Sequence, residues 1–243
     1  MDKRSVTIKD ISVKRKIVEE IFRQKSAPIG CFHKPKVPGI IIPNWTVASV
    51  SNPVFLKFIG KEMSKIIREI GGADILCGIE TAGIGIVAAV SMVSGIPWIY
   101  ARKERKTYGS MEAFEGTYHR GAKVIFIDNF TAKGKGMPEI LKNAEEEGFI
   151  FHHQISIIDG EWQKVDEYEK YDITVHSLIT QTEVIEGLGK LNYFPGKLYD
   201  LTMSYTKNPA EWTQDSKIVK DFIEELNKAP NLDYINKKSC ENI

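Results

Sequence analysis

The sequence predicts an α/β protein built on a central, mostly parallel twisted sheet with helices on both faces. Two observations predict it. Five apolar runs of strand length recur along the middle of the chain: ADILCGI (73–79), IPWIYA (96–101), KVIFID (123–128), FIFHHQISII (149–158) and DITVHSLI (172–179). They are near-continuous rather than alternating, and helical stretches separate them, the pattern of a parallel sheet covered on both sides. In such sheets ligands bind outside the carboxyl ends of the strands, which groups three loops as candidates: 80–85, 102–120 and 128–136.

Taken in order, Ile8 to Gln24 places apolar residues at 8, 11, 17, 18, 21 and 22, a helical spacing that Pro28 and Gly30 end. A Pro/Gly-rich segment runs on to Pro53, with IIIP inside it as a short strand. Asn52-Pro53 opens a helix whose Phe55, Phe58, Ile59, Met63, Ile66, Ile67 and Ile70 line one face, and Gly71-Gly72 stop it. A small-residue helix over 83–93 follows the first strand of the sheet, and another over about 137–147 follows the third. Beyond Leu188 the alternation does not continue. That tail holds a helix over 215–227, with Ile218, Val219, Phe222, Ile223 and Leu226 on one face, and ends in YINKKSCENI, read as disordered. The chain is thus expected to divide into an N-terminal helix and small hood (1–52), a core (53–190) and a C-terminal extension (191–243).

Composition excludes several classes of function. The 243 residues are 42% hydrophobic and 27% charged, ordinary for a globular protein, and the net charge of +1 makes no case for a nucleic-acid or membrane partner. Cys31, Cys77 and Cys240 form no CxxC pair, which argues against a zinc site or a disulfide framework. The N-terminus lacks the apolar core of a secretion signal, so a cytoplasmic location is expected. His152-His153 lie in an apolar strand and read as packing or hydrogen-bonding residues, not metal ligands.

Each loop has its own chemistry. In GIETAGIGIVAAV, Gly83, Gly85 and Ala88 match GxGxxA, and Arg102 at the end of the next strand could read a 2′-phosphate, as in an NADP oxidoreductase. Against that, Glu80, Thr81 and Ala82 intervene between strand and glycine, and the small residues alternatively let a helix pack closely on the sheet. In ARKERKTYGSMEAFEGTYHRG, the cations Arg102, Lys103, Arg105 and Lys106 follow a buried strand at its ligand end. Cations on a long lid suit a polyanionic substrate or leaving group, because closure excludes water and strengthens their effect. In VIFIDNFTAKGKGM, Asp128 and Asn129 end a strand and can hydrogen-bond vicinal hydroxyls or hold Mg2+ through water. TAKGKG can then turn successive N–H groups inward as an anion nest.

Together, ETAGIGIVAA, RKERKTYG with Glu115-Gly116 downstream, and IDNFTAKGK resemble the type I phosphoribosyltransferases, and among them the orotate phosphoribosyltransferases, over roughly residues 25–190. The resemblance implies that family's fold and a reaction of 5-phosphoribosyl 1-diphosphate with a nitrogenous base, orotate by default, using Mg2+. Thr81, Ala82 and Gly83 would touch pyrophosphate. Arg102, Lys103 and Lys106, with Tyr108, would bind it from the lid, reaching into the other subunit of a homodimer. Asp128 and Asn129 would hold the ribose hydroxyls, and Thr131, Ala132, Lys133, Gly134 and Lys135 the 5′-phosphate. Several positions depart from the family pattern. Asn129 replaces an acid, Tyr108 a histidine, Lys133 and Lys135 small residues, and Gly160 stands where a base-binding arginine is expected. Lys34 or Lys36 stands near the family's amino-terminal substrate lysine. These departures keep a second reading open: a non-catalytic regulatory protein that binds a phosphoribosylated nucleotide on the same fold.

Overall fold

The computed structural model of the protein describes residues 5–32, 39–41, 51–102, 112–131, 136–161, 166–208, 212, 216–229 and 235–236. The early elements are β1 (Ser5–Thr7), α1 (Ile11–Arg23), β2 (Ile29–Phe32), β3 (Gly39–Ile41), α2 (Pro53–Glu69), β4 (Ile75–Ile79), α3 (Ala82–Ser94) and β5 (Trp98–Ala101). Then come β6 (Phe114–Glu115), β7 (Lys123–Thr131), α4 (Gly136–Glu146), β8 (Ile150–Asp159), α5 (Asp166–Lys170) and β9 (Thr174–Thr180). The chain closes with α6 (Gln181–Lys190), α7 (Leu198–Lys207), α8 (Lys217–Lys228) and β10 (Ile235–Asn236). Two compact units result: Met1–Asp10 with Ser49–Thr180, and Ile11–Ala48 with Gln181–Ile243.

The first unit carries a seven-stranded sheet in the order β1-β9-β8-β7-β4-β5-β6, parallel except where β6 runs against β5. The five predicted strands are β4, β5, β7, β8 and β9. Alternate residues serve opposite faces. Ile75, Cys77, Ile79, Val124 and Phe126 pack with Met137, Ile140, Leu141 and Ala144 of α4, while Gly78 turns to Val87 of α3. Helices therefore cover both sides, as the near-continuous apolar runs require. On α2 the Asn52 side chain accepts from the Val54 and Phe55 N–H groups (3.0 and 3.2 Å), and Gly71 and Gly72 turn the chain out at φ of 86° and 74°. Gly60 lets α2 approach α3, since a Cβ there would lie 2.9 Å from the Ala89 carbonyl oxygen.

Several elements differ from expectation. The first helix begins at Ile11 rather than Ile8, because the Ile8 N–H donates to the Ser177 carbonyl (3.0 Å) and continues the β1–β9 ladder. The predicted disordered terminus contributes β10, whose Ile235 and Asn236 pair in parallel with Ile29 and Gly30. In the second unit β10-β2-β3 form a small sheet. Trp212, fully buried, stacks edge-on between Tyr205 and Phe222, at 5.6 and 5.7 Å between ring centroids.

His153 and His176 meet in the first unit, Nδ1 to Nε2, at 3.2 Å. Burial, then the neighbouring His153, lowers the His176 pKa to about 4, and burial chiefly lowers that of His153. A depressed imidazole pKa means the unfolded chain binds more protons between about pH 6.5 and 4, so stability falls as pH drops through that window. At ~1.4 kcal/mol per pKa unit the loss from His176 amounts to about 3 kcal/mol. Denaturant midpoints measured at pH 7.0, 5.5 and 4.5 should fall steadily for the parent and much less for His176→Leu. Equal slopes for the two proteins would rule the pair out as the cause.

Candidate active site

β4 leads to α3 and β5 on one side, while β7, its neighbour on the other side, comes later in the chain. The strand order therefore reverses between β4 and β7, the point where such sheets open a crevice at their carboxyl ends. The described residues of three predicted loops meet that description.

At the end of β4, the Glu80–Thr81 peptide bond is cis, and α3 starts at Ala82 with no side-chain cap from Thr81. The first N–H groups of this 13-residue helix thus carry its positive end to the crevice. Gly78 and Gly83 make this possible. A Cβ on Gly78 would lie 2.8 Å from the Gly83 carbonyl oxygen, and one on Gly83 would lie 2.6 Å from the Ile127 carbonyl oxygen and 3.6 Å from the Asp128 Cα. The close packing expected of the small residues is present at Gly83, which it brings against Ile127 and Asp128 of β7.

There Asp128 and Asn129 are half-buried, and Asp128 Oδ1 accepts the Asn129 N–H at 2.7 Å. Thr131, the end of β7, is 8% exposed, and its hydroxyl oxygen accepts a hydrogen bond from Gln154 Nε2 at 3.0 Å. Its carbonyl accepts the Gly160 N–H at 2.8 Å. The absence of an arginine at 160 has a packing reason. A Cβ on Gly160 would lie 2.7 Å from the Phe130 ring and 2.8 Å from the Thr131 carbonyl oxygen.

At the end of β5, Arg102 Nε donates to Glu115 Oε1 at 2.9 Å, and the guanidinium lies over the Tyr100 ring (5.8 Å). The Glu115 hydrogen bond raises the Arg102 pKa above the usual arginine value, so the group is fixed as a cation. Glu115 lies in β6, opposite Tyr100, and the Arg102 N–H donates to the Ala113 carbonyl (2.9 Å). Gly116, at φ 130°, avoids Ile99, whose Cγ2 a Cβ would approach to 2.7 Å. The Glu-Gly pair thus closes the base of the loop, a structural role that its sequence position alone did not show.

Thr81, Ala82, Gly83, Arg102 and Thr131 lie at the carboxyl ends of β4, β5 and β7, whereas Asp128 and Asn129 lie within β7, which runs on beside β8 to Thr131 instead of ending at Asp128 but pairs with β4 only as far as Ile127. Lys103, Lys106, Tyr108, Ala132, Lys133, Gly134, Lys135, Lys34 and Lys36 lie outside the described residues. Sequence reasoning missed Gln154, whose one signal was an amide at a buried position of an apolar strand, and Tyr168, whose hydroxyl donates to Gln154 Oε1 at 2.6 Å. Among the described residues no group of three or more His, Cys, Asp or Glu could hold a metal ion. Among them, too, no helix is long and apolar enough to cross a membrane.

Comparison with known proteins identifies relatives of the same resemblance. The chain is 29% identical over 135 residues to the orotate phosphoribosyltransferase of Methanocella arvoryzae, covering 56% of this chain and 76% of that one. To the orotate phosphoribosyltransferase of Listeria monocytogenes it is 26% identical over 211 residues, covering 83% and 99%. No family model matches. Among solved structures, Leishmania donovani UMP synthase aligns with a TM-score of 0.70 at 18% identity, over 82% of this chain and 42% of that one. The orotate phosphoribosyltransferase of Aeropyrum pernix aligns at 0.63 and 14%, over 73% and 99%. Adenine phosphoribosyltransferase from Leishmania donovani aligns at 0.56 and 16%, over 75% and 86%. The chain has the type I phosphoribosyltransferase fold.

Proposed function

We propose that the protein is an orotate-phosphoribosyltransferase-like enzyme: it transfers a phosphoribosyl group from 5-phosphoribosyl 1-diphosphate to a base, orotate by default, and releases pyrophosphate, a step of pyrimidine nucleotide synthesis. The observation that carries this is the junction of Gly83 with Ile127 and Asp128, which sets a helix N-terminus beside a carboxylate at the strand-order reversal. It is supported by similarity to the Listeria monocytogenes orotate phosphoribosyltransferase over 99% of that protein.

Loss of pyrophosphate leaves positive character on the ribose, so the reaction needs charge stabilisation at both ends of the breaking bond and dryness more than it needs a nucleophile. In this reading the N–H groups of Thr81–Gly83 and the cations Arg102, Lys103 and Lys106 take the leaving pyrophosphate. Arg102 spends Nε on Glu115, so its terminal nitrogens meet the ligand. Tyr108 donates a hydrogen bond from the lid. Asp128 and Asn129 hold the ribose hydroxyls, and Thr131, Ala132, Lys133, Gly134 and Lys135 hold the 5′-phosphate. One half-buried carboxylate beside an amide fits Mg2+, which keeps several waters and binds largely through substrate oxygens. When bound, the ion offsets charge on the diphosphate. The enzyme works in the cytoplasm as a homodimer whose lid lysines serve the neighbouring subunit's crevice.

Incubation with Mg2+ and the donor, with orotate, uracil and adenine in turn, tests this by pyrophosphate release. Orotate-dependent release is expected, reduced about a hundredfold or more by Lys106→Ala. The closed position at Gly160 favours one alternative, a regulatory protein that binds the donor without turnover, because no side chain there can pair with a base carboxylate. Tight donor binding with no release for any base would establish that alternative.

A further inference from the structure

Tyr168, Gln154 and Thr131 form a buried line of polar groups, at 8%, 2% and 8% exposure. Its direction is that of the Gln154 amide, whose oxygen faces Tyr168 and whose nitrogen faces Thr131. The Tyr168 phenol keeps its proton, since burial, then Asp128 and Asp159, push its pKa up. Its proton goes to Gln154 Oε1 at 2.6 Å. With that oxygen turned to Tyr168, the Gln154 amide nitrogen faces the other way and donates to Thr131 Oγ1 at 3.0 Å. A hydroxyl has one proton, and with one lone pair of its oxygen accepting from Gln154, the proton of Thr131 points away from that amide. No acceptor for it is found among the described residues. The Thr131 backbone is clamped as well, its carbonyl bonded to the Gly160 N–H at 2.8 Å.

We propose that Gln154 and Tyr168 are positioning residues: they aim the Thr131 hydroxyl proton out of the core, at an anionic oxygen of a phosphomonoester. This rests on the phosphoribosyl reading above and adds to it two residues that do not touch the ligand. Phenol, amide and hydroxyl dipoles aligned in one direction strengthen each other in a site shielded from water. The arrangement supplies a fixed donor without a buried charge, and its effect is confined to the 5′-phosphate end of the donor.

Calorimetric binding of ribose 5-phosphate and, separately, of pyrophosphate, each with Mg2+ at pH 8, distinguishes this from a packing role. Gln154→Glu keeps the shape, but a carboxylate accepts from both neighbours and draws the Thr131 proton inward. It should weaken ribose 5-phosphate about tenfold or more and pyrophosphate less than twofold. Thr131→Val should match it, and the double variant should be no weaker than Thr131→Val alone. Tyr168→Phe frees the amide to turn over and should weaken ribose 5-phosphate about threefold, a second measurement should Gln154→Glu fail to fold. Equal weakening of both ligands, additive losses in the double variant, or unchanged ribose 5-phosphate binding would overturn the proposal. A parent protein that binds pyrophosphate but not ribose 5-phosphate would overturn it too, and one that binds neither ligand would overturn the phosphoribosyl reading with it.

Discussion

Asp128→Ala is expected to lower base-dependent pyrophosphate release by about two orders of magnitude while shifting the melting temperature by no more than about 2 °C. The two effects separate because of where Asp128 stands. Ile127 is the last fully buried residue of the run that begins at Val124, and Asp128 follows it, half-buried, at the crevice. Removing its carboxylate therefore empties no core volume. What is lost is a negative charge where the ribose gains positive character, held in place by the Asn129 N–H at 2.7 Å. With an amide already at 129, the pair has one carboxylate and nothing to replace it. Asp128→Asn separates charge from hydrogen bonding. Release within threefold of the parent would mean that a hydroxyl contact is all Asp128 supplies. If Asp128→Ala itself stays within threefold, the carboxylate has no part in the reaction and the proposed site is misplaced.

Much of the fold was legible because the sheet is buried on both faces. Each of the five predicted strands announces itself by a near-continuous apolar run, and Asn52-Pro53 with Gly71-Gly72 bracket α2 by chemistry that acts locally. What was not legible depends on contacts distant in sequence. β1 and β6 have three and two residues, too short for any period, and exist through ladders to β9 and β5. α6 contains Gly187 and Gly189; a Cβ at either would fall 2.7 Å or less from Val18 or Tyr199, so the glycines serve packing. The site divides the same way. Glycine spacing and the acid–amide pair at 128–129 pointed to the crevice, because strand direction alone decides which loops gather there. The Arg102–Glu115 pair and the line from Tyr168 to Thr131 are side-chain geometry joined across strands, with nothing local to mark them. Gly160 shows the converse: the sequence registered a missing arginine, and the structure supplies a position without room for one.

Gly83→Ala should be the most damaging single-carbon change in the crevice. The added Cβ would stand 2.6 Å from the Ile127 carbonyl oxygen, a backbone atom of a central strand that cannot rotate aside as a side-chain tip can. Relief requires α3 to move as a body, yet a Cβ on Gly60 would already lie 2.9 Å from the Ala89 carbonyl on the helix's outer side, so α2 limits the retreat. Overpacking of this kind costs about 1–3 kcal/mol. In a chain of this size that corresponds to a melting temperature lower by about 2–12 °C. Activity should fall further than stability, because the displacement separates residues 81–83 from Asp128 and splits the pyrophosphate contacts from the ribose contacts. Loss of about a hundredfold or more in pyrophosphate release is expected at temperatures where the variant is still folded. Gly95→Ala is the control. Its φ of 76° strains an alanine, but no atom lies within 4 Å of the added carbon, and it stands at the opposite end of the same helix. That variant should lose about 1 kcal/mol of stability and keep its release rate. Were Gly83→Ala to behave like Gly95→Ala, close approach of α3 to β7 would not be what assembles the site.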